Sequence, residues 1–375
     1  MKLEDINHIQ HDDAILYGWE NYNEENVIMF GDFHGAYHTF FRHMKRFEFQ
    51  GIITWKNNIP TIRNGYKLLF LGDILDRGAY SLEILLYICL LIIHNKNKII
   101  FNRGNHEEYS KYRGDFIIDE LKNKLKKMNE EDINNIKTLI KNILTLSPSA
   151  VILYFPNGKK IWACHGGIPF EFVDNNSVKI IDINIPDKGI YTHIKTSTYD
   201  KNSISKQIKW NDLHTNKTAN KSLRGDTLQI NNIHLKQILR GYNIDFLIRG
   251  HQDSYGNTVL FTKHDENANY NIDNDTGYYE NGESIHNYIP EGPKEGAIAT
   301  IRIKKDDFTG EILDKQTKNK NATDFQAITI STNTAFEKPL TRDSYIIVSC
   351  ILTEEEIAQA QAQAQALKNK NILFI

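Results

Sequence analysis

Cysteine, excess charge and long apolar runs are all scarce in this chain of 375 residues. Its three cysteines lie in apolar runs and share no CxxC spacing, so we expect buried packing residues in a reducing compartment, with no disulfide framework. With 45 basic against 47 acidic side chains, the chain lacks the basic excess that nucleic acid or an anionic membrane surface would attract. Its longest apolar run, 84–93, is too short to span a bilayer.

The N-terminal sequence MKLEDINHIQHDDA is polar and acidic, whereas a signal peptide begins basic and continues apolar. We therefore expect a cytoplasmic protein without a membrane span or a nucleic-acid partner. No internal repeat of 20 to 50 residues is visible, and the length leaves one, two or three domains open.

Short apolar runs, each followed by a polar turn that contains glycine, recur along the chain and predict buried strands. The runs with such turns are 27–30, 67–71, 98–101, 161–164 and 246–248, and further strands are predicted at 151–155, 327–331 and 345–350. Helical patterns cover 36–47, 81–94, 115–127, 131–144 and 231–241. This alternation predicts an α/β fold with a sheet core and outer helices, but it does not distinguish a β-sandwich from a doubly wound sheet.

The turns after five of these strands carry the residues suited to metal chemistry. They are GDFHG at 31–35, GDILDRG at 72–78, RGNHE at 103–107, HGG at 165–167 and RGH at 249–251. Carboxylate, imidazole and amide groups on such turns form a ligand set for Mn, Fe or Zn, and six of them suit a site with two metals. Each turn alone is compatible with an ordinary capped loop. All five together, in order and each after an apolar run, favour a metal centre.

The five motifs resemble those of the phosphoprotein phosphatase family of metal-dependent serine/threonine phosphatases, in which they occur in the same order. The likeness extends over roughly residues 25–350 and includes SLRGDTLQ before the last predicted helix. It implies the α/β calcineurin-like metallophosphoesterase fold, a central β-sandwich flanked by helices. The chain is also somewhat similar to Wip-type phosphatase effectors, which intracellular bacteria inject into host cells, so secretion into a host cell is a further hypothesis.

The resemblance implies two metal ions, divalent or trivalent, with manganese expected to support activity in vitro. The first ion would be held by Asp32, His34 and Asp73, and the second by Asp73, Asn105, His165 and His251. Asp73 would then bridge both, and a water shared by the ions would be the nucleophile.

The resemblance also implies the catalytic roles of four side chains. His106 would protonate the leaving alkoxide, and Asp76 would orient its imidazole. Arg77 and Arg224 would grip the phosphoryl oxygens through paired hydrogen bonds. Arg103, grouped with these phosphate-binding residues, is expected to support the site from behind. Trp210, Asn211 and Asp212 are similar to a further W-[SN]-D element of the family.

Other parts of the chain depart from the family pattern. The family's SAPNY loop is matched here by STNTAF at 331–336, where Phe336 lacks the hydroxyl of the family's tyrosine. We expect 1–24 to be an N-terminal extension and 25–352 the catalytic domain, with a surface insertion at 262–296. A helical tail is expected at 353–375.

Three functions remain open at this point. The first is hydrolysis of phosphoserine and phosphothreonine in a phosphoprotein substrate, with phosphotyrosine hydrolysis by the same mechanism as its variant. The second is symmetrical dinucleoside-polyphosphate hydrolysis, which shares the metal motifs. The third is a catalytically silent scaffold, which a complete set of ligands disfavours.

Overall fold

The computed structural model describes most of the first 252 residues and short strand segments beyond them. The described residues are 8–22, 25–108, 115–174, 177–196, 203–213, 228–252, 259–262, 271–273, 277–280, 283–284, 299–304, 307–312, 325–329, 345–350 and 358.

Six helices and twenty-two strands lie within these described residues. The helices are α1 (Tyr37–Phe49), α2 (Ser81–His94), α3 (Asp115–Lys124), α4 (Glu130–Leu146), α5 (Ile204–Trp210) and α6 (Asn232–Gly241). The strands are β1 (Ala14–Glu20), β2 (Asn26–Phe30), β3 (Ile53–Lys56), β4 (Ile59–Ile62), β5 (Tyr66–Phe70), β6 (Ile99–Phe101), β7 (Ala150–Tyr154), β8 (Lys160–Cys164), β9 (Phe170–Phe172), β10 (Val178–Ile180), β11 (Tyr191–Ile194), β12 (Asp212–Leu213), β13 (Gln229–Ile230), β14 (Phe246–Arg249), β15 (Val259–Thr262), β16 (Asn271–Asp273), β17 (Gly277–Glu280), β18 (Glu283–Ser284), β19 (Ala299–Lys304), β20 (Asp307–Ile312), β21 (Phe325–Thr329) and β22 (Tyr345–Cys350).

Two mixed sheets form the centre of the fold. One has seven strands in the order β11-β1-β7-β8-β14-β21-β15, and the other has six in the order β20-β19-β22-β2-β5-β6. Side chains from both sheets share one buried apolar core, which includes Val27, Leu69, Val151, Ala163 and Ile248. The sheets therefore face each other as a β-sandwich, which confirms the fold that the motif resemblance implied and excludes a single doubly wound sheet.

Helices cover both outer faces of the sandwich. Phe40 of α1, Ile84 of α2 and Ile140 of α4 pack on the outer face of the six-stranded sheet. Ile208 of α5 and Leu235 of α6 pack on the outer face of the seven-stranded sheet. Because the strands are buried on both faces, their sequences are continuous apolar runs rather than alternating ones.

The carboxyl ends of five strands meet at one edge of the sandwich. In the six-stranded sheet, β2, β5 and β6 are parallel, with Phe30, Phe70 and Phe101 aligned in register. In the other sheet, β8 and β14 are parallel, and Cys164 lies opposite Arg249. Each of the five motif turns follows one of these strand ends, so the fold gathers them at a single edge.

Several elements of the structure were not predicted from the sequence. One is β1, which lies within the predicted N-terminal extension at 1–24 and pairs with β7 and β11 inside the seven-stranded sheet. The β3–β4 hairpin and α5 were not predicted. Within the predicted insertion at 262–296, strands β16, β17 and β18 form a small antiparallel sheet. The predicted tail helix at 353–375 lies outside the described residues apart from Ala358.

Every helix among the described residues falls short of the length or apolar character that a bilayer-spanning segment needs.

Candidate functional site

The six predicted metal ligands come together in one buried cluster between the ends of the two sheets. None is more than 5% exposed. The cluster consists of Asp32 and His34 after β2, Asp73 after β5, Asn105 after β6, His165 after β8 and His251 after β14.

Asp73 lies at the centre of this cluster. Its Oδ2 is 3.1 Å from Nε2 of His165 and 3.6 Å from Nε2 of His34. One possible ligand atom from each of His34, Asp73 and His106 lies within 4.8 Å of the other two, and the same is true of Asp73, His165 and His251. Two groups of three possible ligands therefore share one carboxylate.

Asn105 joins the second group. Its Oδ1 is 2.9 Å from Nε2 of His165 and 2.9 Å from Nδ1 of His251. The backbone N–H of His251 donates to Oδ1 of Asp32 at 3.0 Å, which places Asp32 next to the second group.

The tautomers of two histidines show that the donor set fits metal ions. Nδ1 of His34 lies 3.0 Å from the carbonyl of Leu75, and Nδ1 of His165 lies 3.1 Å from the carbonyl of Leu71. A carbonyl only accepts, so a neutral imidazole carries its proton on Nδ1 in both cases and turns the lone pair of Nε2 towards Asp73. Lone pairs and carboxylate oxygens that converge on one point repel each other unless a proton or a metal cation lies between them, so this donor set can accept a metal ion.

Asp212 approaches His251 from the other side of the ring, with Oδ1 3.5 Å from Nε2. Carboxylates in this position commonly fix the tautomer and orientation of a metal-binding histidine. The ring of Trp210 meets His251 edge-on at 5.8 Å between centroids. The W-N-D element singled out in the sequence therefore lies beside the second group.

The site is electrostatically polarised without any metal. Burial alone lowers the pKa of His165, but the charges of Asp73 and Asp32 outweigh burial and raise this pKa to about 9. Burial alone raises the pKa of Asp73, but the neighbouring histidines, His165 first, lower it well below its usual range. The cluster thus favours a carboxylate at Asp73 and positive charge around it.

The backbone at the site adopts an uncommon conformation. Nine non-glycine residues among those described have a positive φ, and His34, Asp73, Asp76, Arg77 and His251 are five of them. Such angles each cost about 1–3 kcal/mol and tend to cluster at functional sites.

Glycines allow the turns to approach each other at this edge. A Cβ on Gly250 would lie 2.6 Å from Oδ1 of Asp32, and one on Gly104 would lie 2.1 Å from Oδ1 of Asp73. Both contacts are too close for a side chain, so glycine is required next to these two ligands.

Asp76 and Arg77 lie next to His106, the most exposed member of the first group. Nδ1 of His106 lies 2.6 Å from Oδ2 of Asp76, and its Nε2 lies 3.8 Å from Oδ2 of Asp73 and 3.4 Å from Nη2 of Arg77. Burial lowers the pKa of His106, but the charge of Asp73 and the hydrogen bond to Asp76 outweigh burial and raise it. Arg77 is exposed, so its guanidinium can reach a bound anion.

Arg103 lies away from solvent. Its guanidinium donates to the carbonyl oxygens of His11 and Asp13 and to Oγ of Ser149, and the residue is 1% exposed. Arg103 therefore fastens the N-terminal segment behind the RGNHE turn and does not face a substrate. Arg224 and Phe336 lie outside the described residues.

Two carboxylates beside the ligands were given no role in the sequence analysis. Glu107, the last residue of the RGNHE motif, is 1% exposed and accepts backbone hydrogen bonds from the turns that hold the ligands. Glu108 binds Nε1 of Trp210 at 3.0 Å and pairs with buried Lys209 at 2.6 Å. Their position directly after Asn105 and His106 is a local signal that could have indicated them, but their partners are remote in sequence.

Comparison with curated proteins gives similarity to two kinds of phosphoesterase. The chain is 27% identical over 157 residues to the asymmetrical bis(5′-nucleosyl)-tetraphosphatase PrpE of Anoxybacillus flavithermus, a match that covers 40% of this chain and 60% of that protein. It is 26% identical over 228 residues to serine/threonine-protein phosphatase 5 of Arabidopsis thaliana, which covers 61% of this chain and 36% of that protein. The chain thus spans less than two thirds of either relative.

Among solved structures, the chain is similar to a protein serine/threonine phosphatase of Saccharomyces cerevisiae described as similar to human phosphatase PP5. The TM-score is 0.48 with 21% identity, covering 68% of this chain and 71% of that one.

The family profile named Calcineurin-like phosphoesterase matches residues 26–255, which include all five motif turns and every ligand of the cluster. This chain belongs to the calcineurin-like phosphoesterase family.

Proposed function

We propose that this chain is a metal-dependent protein phosphatase that hydrolyses phosphoserine and phosphothreonine monoesters with a water activated by two metal ions. The observation that carries the proposal is Asp73, whose carboxylate is shared by two ligand groups within 4.8 Å each. One of these groups includes His106, an acid whose Nε2 lies 3.4 Å from Nη2 of the exposed cation Arg77.

The residues present would hold the metals in the arrangement that the sequence resemblance implies. Asp32 and His34 would bind one ion, Asn105, His165 and His251 the other, and Asp73 both. When bound, two such ions supply Lewis acidity and a water of lowered pKa as the nucleophile.

Arg77 would bind the phosphoryl group. Its planar guanidinium offers paired donors to two phosphoryl oxygens, which a lysine cannot match. The nearby Nε2 of His106 lies 3.4 Å from Nη2 of Arg77, so a phosphate gripped by Arg77 would bring its ester oxygen close to the imidazole.

His106 would protonate the leaving alkoxide. Asp76 holds Nδ1, so Nε2 is the nitrogen that faces the substrate and donates the proton. The hydrogen bond between Nδ1 and Asp76 favours the protonated imidazole, as a general acid requires.

A cysteine nucleophile is disfavoured by the environment of Cys164, which precedes His165. Burial raises the pKa of this thiol to about 12, and its Sγ–H donates to the carbonyl of Gly167 at 3.2 Å. A buried, neutral thiol that is already engaged is a poor nucleophile. This argues against a phosphoenzyme formed on Cys164.

Dinucleoside-polyphosphate hydrolysis is a second candidate, because the similarity to a tetraphosphatase specifically favours it. The sequence analysis considered the symmetrical reaction, whereas that relative is named for the asymmetrical one. The products separate the two, since symmetrical cleavage of diadenosine tetraphosphate gives two ADP and asymmetrical cleavage gives ATP and AMP.

The test is a comparison of kcat/KM on substrates assayed in parallel with Mn²⁺. Peptides of one sequence carrying phosphoserine, phosphothreonine or phosphotyrosine are compared with diadenosine tetraphosphate, and EDTA-treated enzyme is the control. The proposal predicts the highest values on phosphoserine and phosphothreonine. A higher kcat/KM on the phosphotyrosine peptide or on diadenosine tetraphosphate would show that the proposed substrate is wrong. Binding of metal without any turnover would favour the catalytically silent scaffold.

A further inference from the structure

The carboxyl group of Glu107 accepts hydrogen bonds from the backbone of two turns that carry predicted metal ligands. Its Oε2 accepts the N–H groups of Asp73 and Gly104, both at 2.7 Å. Its Oε1 accepts those of Ile74 at 3.0 Å and Leu75 at 3.1 Å. Two oxygens thus receive four backbone donors in a position that is 1% exposed.

These bonds hold a turn that is unfavourable by itself. Asp73 has a φ of 52°, a conformation that costs a non-glycine residue about 1–3 kcal/mol. Three successive N–H groups at 73–75 then point to the same side, a concave arrangement that needs acceptors to satisfy it. The two carboxyl oxygens of Glu107 provide these acceptors from within the chain.

The same turn reaches the other ligands. The carbonyl of Asp73 accepts the N–H groups of Phe33 and His34 at 2.9 Å each, and the carbonyl of Leu75 faces Nδ1 of His34 at 3.0 Å. Gly104, the fourth donor to Glu107, directly precedes Asn105. A shift of the Glu107 carboxylate would therefore be transmitted to ligands of both groups.

We infer that Glu107 is a positioning residue of the metal centre, which sets the bridging carboxylate of Asp73 by binding the backbone of the two turns around it. The inference rests on the metal-dependent function proposed above.

Glutamine is the informative substitution because it keeps the shape of Glu107 and removes half of its acceptors. An amide offers one oxygen and one NH₂ group. In either orientation of the amide, two backbone N–H groups face another donor. The turn at Asp73 must then shift or lose two hydrogen bonds in a buried site.

The experiment measures Mn²⁺ affinity by titration calorimetry for the wild type and Glu107→Gln, together with thermal unfolding. We expect binding to weaken by about 10- to 100-fold, the usual effect of losing a partner that orients metal ligands. Asn95→Ala is the matched control, since buried Asn95 accepts from the N–H of Ile62 at 2.6 Å and donates to the carbonyl of Pro60 at 2.8 Å, with no contact to the metal cluster. It should lower the unfolding temperature and leave metal affinity within twofold.

The outcomes separate this inference from the proposed function. If the wild type binds Mn²⁺ and Glu107→Gln binds it within twofold, the role of Glu107 is refuted while the metal site stands. If the wild type binds no metal, the proposed function fails.

Should Glu107→Gln not fold, hydrogen exchange on the wild type decides. If the inference is right, the amide protons of residues 73, 74, 75 and 104 exchange only through global unfolding. Exchange through easy local opening would overturn the inference.

Discussion

His106 lies where it can act either as a general acid or as a metal ligand. The dependence of kcat on the leaving group of the substrate distinguishes the two roles. In His106→Asn, the proton donor held by Asp76 is lost. A general acid contributes about 10²- to 10⁴-fold. We expect kcat to fall by that factor on a phosphoserine peptide, whose alkoxide leaving group needs a proton. On p-nitrophenyl phosphate the leaving phenolate is already stable, so the loss should be below about tenfold.

The assay combines kcat on both substrates with the metal content of the purified variant. Asp76→Asn is the matched variant, since it keeps the imidazole but removes the carboxylate 2.6 Å from Nδ1. It should show the same dependence on the leaving group with a smaller loss. If His106 instead binds a metal together with His34 and Asp73, both substrates will lose rate equally and one metal equivalent will disappear. That result would refute the acid role.

Three further predictions concern the scaffold of the site. Gly250→Ala places a Cβ 2.6 Å from Oδ1 of Asp32 and should weaken Mn²⁺ binding at least about tenfold. Gly158→Ala is the control, because Gly158 has open space around it and a φ of 83°, so its substitution should only lower stability. Equal metal binding in both variants would contradict the crowding argument. His43 is buried and its pKa is lowered by burial to about 4, so the unfolded state binds more protons than the folded state between pH 4 and 6.5. The free energy of unfolding, measured by chemical denaturation, should therefore decrease as the pH is lowered across that window. His43→Leu should remove about 2 kcal/mol of the decrease between pH 7 and 4.5, and an unchanged decrease would contradict the argument. Arg103→Leu leaves three acceptors without their donor and should lower the free energy of unfolding, measured by urea denaturation, by about 3 kcal/mol. A raised KM at unchanged stability would instead indicate that Arg103 contacts the substrate.

The strands that carry the site were predictable because each is an apolar run that ends abruptly. The predicted strands at 27–30, 67–71 and 161–164 correspond within one residue at each end to Asn26–Phe30, Tyr66–Phe70 and Lys160–Cys164. Burial on both faces makes such runs continuous, and the turns after them stand out by contrast.

β1 was missed for the opposite reason. Its sequence AILYGWE follows a polar, acidic segment and carries a glycine, so it resembled an extension. Gly18 is required there by packing, because a Cβ would lie 2.1 Å from the carbonyl oxygen of Asp187. A contact between residues so far apart in sequence leaves no local signal.

The residues that converge in the cluster were predictable from motifs, whereas the neighbours that hold their turns were not. Glu107 acts on backbone N–H groups of 73–75, which carry no side-chain pattern. Arg103 was grouped with the phosphate-binding residues but expected to support the site from behind, and the motif could not indicate its partners, which are carbonyls of the N-terminal segment. Such roles depend on tertiary neighbours and not on spacing.

The host-effector origin remains a prediction from the sequence.

The central claim is that one carboxylate serves two metals in a hydrolytic site. The most direct test is Mn²⁺ stoichiometry and phosphoserine-peptide turnover measured together on the wild type and Asp73→Asn, with folding checked by circular dichroism. We expect two Mn²⁺ per chain and metal-dependent turnover in the wild type, and loss of both bound ions and of turnover in the folded variant. Turnover that persists in Asp73→Asn, or in wild type stripped of metal, would contradict the account.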